Sequence, residues 1–141
     1  MIRVAFCSQS GQYVDAHFAS CPYLFIYEIG PQGSRQLEQI SFSGTEQGED
    51  DRVARRLQAL RGCSFLYCGQ IGGPAAARLV QNGIYPLKVE AHTTIAAAGD
   101  RLEKLLQTNP PPWLKKQMLR EPVVARETYT DVGEDVMLKI P

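Results

Sequence analysis

The chain has 141 residues, and its 15 basic and 15 acidic side chains cancel at neutral pH. That length fits one domain with a short appendage, and the charge balance gives neither free nucleic acid nor a membrane surface a reason to bind. No run of about 18 apolar residues occurs to span a bilayer.

The N-terminal MIRVAFCSQS lacks the features of a signal peptide. A cytoplasmic protein is therefore expected, with its four cysteines as reduced thiols. They form no paired C-x-x-C pattern, which argues against structural zinc.

In chain order, residues 2–7 (IRVAFC) alternate as a strand. A long connection of small and polar residues follows at 8–22; long ordered loops are often functional. Residues 23–29 (YLFIYEI) predict a second strand, Gly30–Gly33 a turn, and 35–42 a third strand at a sheet edge. The polar loop 44–50 is placed to cap a helix over 51–61, with Val53, Ala54, Leu57 and Leu60 on its inner face. Residues 63–68 predict a fourth strand. A helix follows, with Pro74 in its first turn and Gly83 at its end. Residues 84–89 are a fifth strand, marked as an edge by Pro86, and 93–106 a third helix capped by Thr93 or Thr94. Asn109-Pro110-Pro111-Pro112 stops that helix. The chain thus divides into an α/β domain at 1–108 and a Pro-rich exit with C-terminal extension at 109–141, with a possible strand at VMLKI.

Three strands and then α/β alternation predict a ribonuclease H-like mixed five-stranded sheet. Its order is 3-2-1-4-5, with strand 2 antiparallel and helices on both faces. Strands 1 and 4 then lie side by side, about 4.8 Å apart. Their carboxyl ends share the edge where open α/β sheets bind ligands. Cys7 and Cys68 end those strands, and the 8–22 loop brings His17 and Cys21 to the same edge. Thiolate and imidazole suit soft and borderline metals, including iron–sulfur iron. The plainer reading stands beside this one, since free cysteine is among the most buried residue types. Cys63, at the opposite end of its strand, reads as core.

Gly69-Gln70-Ile71-Gly72-Gly73-Pro74 lies between a strand and a helix. Glycines permit close approach to the backbone, and a helix start offers N–H donors to an anion. Gly72 and Gly73 are therefore site candidates, with a simple tight turn as the alternative. No Gly-Lys-Ser/Thr follows, so this is not a P-loop.

The strings VDAHF (14–18), YLFIYEI (23–29), IGGPAAARLV (71–80) and NPPPWL (109–114) resemble the nitrogenase iron-molybdenum cofactor biosynthesis family. That family comprises the cofactor-binding domain shared by NifX, VnfX, the gamma protein of dinitrogenase (NafY) and the C-terminal part of NifB. NPPPWL is most similar to the NifX and VnfX branch. The resemblance implies the ribonuclease H-like fold and a carrier of NifB-co or a later FeMo-co-type iron–sulfur cluster. It implies NifB, the NifEN scaffold and apo-dinitrogenase as partners, and the loop histidine, His17, as a ligand of cluster iron. Where the family usually reads His-Phe-Gly, Ala19 follows Phe18 here.

The expected function is thus transient cluster binding without catalysis, centred on His17 and aided by Cys21, Cys7 or Cys68, with Gly72 and Gly73 facing the cluster's charge. Two-metal phosphoryl transfer would need carboxylates on the central strands; strand 1 has none and strand 2 only Glu28. The alternative is a regulatory or docking protein of the nitrogenase assembly machinery. It would present Trp113 and the basic Lys115, Lys116 and Arg120.

Overall fold

Alternation along the first strand decides how the molecule is layered. Ile2, Val4 and Phe6 face one side and Ala5 and Cys7 the other, and all five are buried. A strand buried on both faces belongs at the centre of a covered sheet. The computed structural model, which describes residues 1–42, 48–108 and 112, places it there.

The sheet order is β3-β2-β1-β4-β5, as the element order predicts. Its strands are β1 (Ile2–Ser8), β2 (Tyr23–Gly30), β3 (Gly33–Ser41), β4 (Phe65–Cys68) and β5 (Tyr85–Lys88). β2 runs antiparallel to β1 and β3, while β1, β4 and β5 are parallel. Pro86 lies in the edge strand β5, where one side needs no ladder bond.

The helices are α1 (Glu49–Ala59), α2 (Gly73–Gln81) and α3 (Ile95–Gln107). On one face, Val53 and Leu60 with Ala75 and Leu79 of α2 meet Ala5, Cys7, Leu66 and Cys68. On the other, α3 packs Ile95, Ala98, Leu102 and Leu106 over an aromatic floor, to which α2 adds Val80. In that floor Phe6 stacks on Tyr67 at 4.9 Å and meets Tyr27 edge-on at 5.4 Å.

Thr94 caps α3 by accepting from the Ala97 N–H at 3.0 Å. α1 departs from expectation. Its N-cap is Gly48, at φ 92, with no side-chain cap bond; three acidic residues in the first turn complement the helix dipole instead. Ala54 is exposed, and Arg56 takes the inner position at 1% exposure. The expected Pro-rich exit apart from residue 112, Trp113, the basic Lys115, Lys116 and Arg120, and the VMLKI strand lie outside the described residues. Among the described residues no helix is long and apolar enough to cross a membrane.

Candidate functional site

The 8–22 connection crosses the carboxyl ends of the parallel strands and is stitched down on both sides. Toward α3, the Val14 N–H donates to Thr93 O at 2.8 Å and the Ile95 N–H to Gln12 O at 2.9 Å. Toward α2, the Gly69 N–H donates to Ala16 O at 3.0 Å and the Phe18 N–H to Gln70 O at 2.9 Å. Side chains satisfy amides that no sheet partner reaches: Ser8 Oγ accepts from Gly11 at 2.8 Å and Asp15 Oδ1 from Gln9 at 2.9 Å. Val14, Ala16, Phe18 and Ala19 are buried and anchor the crossing.

His17 opens a short 3-10 turn, Phe18–Ser20. Its backbone bridges Gln70 in parallel register, which sets it at the mouth of the β4–α2 turn. The side chain is exposed. The ring is not free to spin, because Nδ1 accepts from the Ala19 N–H at 3.2 Å. Nε2 is thus the nitrogen left for another partner. Ala19 sits inside the turn without a positive φ, which among the described non-glycine residues only His92 adopts, at 67. Alanine is therefore compatible with this loop.

Gly72 is the N-cap of α2, with φ −76 and no side-chain cap bond. A Cβ on Gly72 or Gly73 would meet nothing within 4 Å. Neither position has the positive φ that calls for glycine, so the tight-turn reading does not account for them. What the pair leaves is open room above the first-turn amides of Gly73 and Ala75, where the helix dipole favours negative charge.

Below this outer surface lies a second layer. Cys7, Cys21 and Cys68 are each 0% exposed. Cys7 and Cys68 follow the paired Phe6 and Tyr67 on neighbouring parallel strands. Cys21 closes the 3-10 turn in an extended conformation, as the residue before Pro22 should.

Arg56 of α1 reaches under the turn. Its Nη2 donates to Cys21 O at 2.7 Å and its Nη1 to Arg52 O at 3.0 Å, with the guanidinium 4.2 Å above the Phe42 ring. These neighbours separate the thiols. A hydrogen bond from Cys7, reinforced by Arg56, lowers the Cys21 pKa from its ordinary value. Burial, with that same bond, raises Cys7 well above its own. Burial, with a smaller push from Cys21, raises Cys68 to about 12; burial, with a smaller push from Glu38, does the same to Cys63, which lies at the far end of β4 as expected.

The structure therefore sorts the expected residues into two tiers at one end of the sheet. His17, Gly72 and Gly73 share the outer surface. The expected convergence of Cys7, Cys21 and Cys68 with the imidazole is corrected: the thiols lie beneath the turn, closed to solvent. Among the described residues no three His, Cys, Asp or Glu side chains are arranged to hold one metal ion. A cluster docked here would meet one imidazole and backbone amides. Glu28 is far off, paired with Arg35 at 2.9 Å near the start of β1.

Sequence reasoning missed Arg56. The signal was there: 53, 56, 57 and 60 follow the i, i+3, i+4, i+7 spacing of one helical face. It also missed that Thr93, the Thr94 bridge to Tyr13 and Gln12 would fasten the loop's other side.

The protein family described as "Dinitrogenase iron-molybdenum cofactor" matches residues 1–105. Among individual proteins, the chain is 39% identical to Protein NifX of Herbaspirillum seropedicae over 119 residues, covering 83% of this chain and 82% of that one. It is 34% identical to Protein NifX of Sinorhizobium fredii over 137 residues, 92% of this chain and 86% of the relative. It is also 37% identical to Protein NifY of Azotobacter vinelandii over 121 residues, 86% of this chain but 50% of that longer protein.

Proposed function

We propose, since this chain belongs to the dinitrogenase iron-molybdenum cofactor family, that it carries an iron–sulfur precursor during nitrogenase cofactor biosynthesis and releases it unchanged. A role in that biosynthesis follows from the family; carriage is our reading of the site. The observation behind it is an exposed imidazole, hydrogen-bonded into a turn at the mouth of an open glycine pair. His17 Nε2 supplies one bond to an iron at the cluster surface once the ring gives up the Ala19 bond and carries its proton on Nδ1. The first-turn amides of Gly73 and Ala75 face sulfides of the same cluster and offset its negative charge. A single neutral imidazole is a replaceable ligand, as a carrier needs. The thiols play no part in this grip while the turn covers them.

The cargo is NifB-co or a later FeMo-co-type intermediate. The exchange partners in this reading are NifB, the NifEN scaffold and apo-dinitrogenase. Anaerobic titration of the full chain with purified NifB-co should give a stoichiometric complex. His17→Ala should weaken it at least about tenfold, the loss of roughly one 1.4 kcal/mol interaction. Unchanged affinity in that variant would remove His17 from the site, and no complex with the parent protein would refute carriage of this cargo.

A further inference from the structure

The turn that presents His17 is weakly held by its own bonds. The Ser20 N–H donates to His17 O at 3.2 Å and the Ala19 N–H to His17 Nδ1 at 3.2 Å, the long end of the range for such bonds. The entry of the turn is tied down from outside, since the Phe18 N–H donates to Gln70 O at 2.9 Å. Its exit is Cys21, the C-cap. The bond made there is shorter than either within the turn: Arg56 Nη2 donates to Cys21 O at 2.7 Å. A bond from an ionised donor is also about twice as strong as one between neutral groups.

Arg56 is itself held where it can make that bond. Its Nη1 donates to Arg52 O at 3.0 Å, one turn back in α1, and its guanidinium lies 4.2 Å over the Phe42 ring. The Phe42 N–H in turn donates to Pro22 O at 2.9 Å, just past the turn. At 1% exposure the side chain has no open path to water. Val53 and Leu60, on the same helical face, are aliphatic. A buried cation is weak evidence for stability, because an apolar side chain of similar volume often serves as well. What an apolar side chain cannot do is hold the Cys21 carbonyl.

We propose that Arg56 is a positioning residue for His17: by fixing the exit of the 3-10 turn, it keeps the imidazole at the mouth of the β4–α2 turn. Its part is largest when the ring gives up the Ala19 bond to take iron. The turn then keeps one internal bond, that of Ser20, and the Arg56 bond is the one that preserves its shape. Arg56 itself touches no cargo. The proposal rests on the carrier reading for its consequence in binding, whereas its effect on the turn needs no cargo.

The test compares the full chain with Arg56→Met, which fills much of the same volume without a donor, and with Arg56→Lys, which keeps the charge and a donor. Without cargo, amide hydrogen exchange at Ala19 and Ser20 should quicken by at least about tenfold in Arg56→Met, while Phe18 keeps its protection. Arg56→Lys should recover most of that loss. With NifB-co, Arg56→Met should bind at least about fivefold more weakly, and in a His17→Ala background it should cost nothing further. Unchanged exchange at Ala19 and Ser20, no recovery in Arg56→Lys, or losses that add in the double variant would each overturn the proposal. If His17→Ala itself binds as the parent does, the carrier reading fails, and the cargo-free exchange still decides whether Arg56 holds the turn. Should Arg56→Met not fold, nuclear magnetic resonance of the parent chain answers alone. The Nη protons of Arg56 should be resolved and slow to exchange; a single averaged signal would sink the idea.

Discussion

The two faces of the sheet are built from different materials. Under α3 the floor is aromatic: Phe6 packs on Tyr67, Phe65 on Tyr85 and Phe25 on Tyr23. Under α1 and α2 it is aliphatic and sulfur-bearing, with all four cysteines and Ala5, Ala16, Ala19 and Ala75 among larger side chains such as Phe18, Leu24 and Leu66. One strand feeds both, since Phe6 and Cys7 are neighbours in β1 that point opposite ways. The aromatic face supplies area and shape. The thiol face receives the 8–22 connection and the buried Arg56, which bonds the Cys21 carbonyl.

The comparison breaks most sharply at Phe6. Phe6→Ala empties the centre of the aromatic stack and should cost about 3–5 kcal/mol in urea unfolding. An equal loss from Cys7→Ala would erase the distinction between the faces.

A smaller effect concerns pH. Cys63 and Cys68 have folded pKa values raised from 9.0 to about 12. The folded state therefore holds its protons where the unfolded chain has lost them. Their contribution is complete below about 9 and drains away as pH rises toward 12. Stability should fall there by on the order of 1 kcal/mol per pH unit for each thiol. Urea midpoints measured across that range should show a shallower decline in Cys63→Ala.

The smallest expected effect on stability is at Gly72. With φ −76 and no atom in the way of a Cβ, Gly72→Ala should change unfolding by less than about 0.5 kcal/mol. Binding of NifB-co should nevertheless weaken, and unchanged binding would return Gly72 to a purely local role.

Much of this was legible in the sequence. The alternation of β1, the three-strand start and the later α/β rhythm led to the observed strand order, and with it to Cys7 and Cys68 as neighbours. The depth of the thiols was not legible. It depends on where Phe18 and Ala19 pack after the loop has crossed two strand ends, a tertiary outcome that no local period encodes. Arg56 was hidden for a related reason: a charged residue on an apolar face reads as an exception until a carbonyl such as that of Cys21 is found opposite it. The α1 cap failed because polar loop residues suggested a side-chain oxygen where the chain uses a glycine at φ 92.

The bond between Ala19 and His17 has a consequence for how tightly anything can be held. Its acceptor, Nδ1, must carry a lone pair. A neutral imidazole that bonds iron through Nε2 must instead keep its proton on Nδ1, facing the amide that now donates to it. Metal and turn therefore compete for opposite tautomers of one ring. In the carrier reading proposed above, capture would loosen the first residues of the turn, and their re-closure would help expel the cargo.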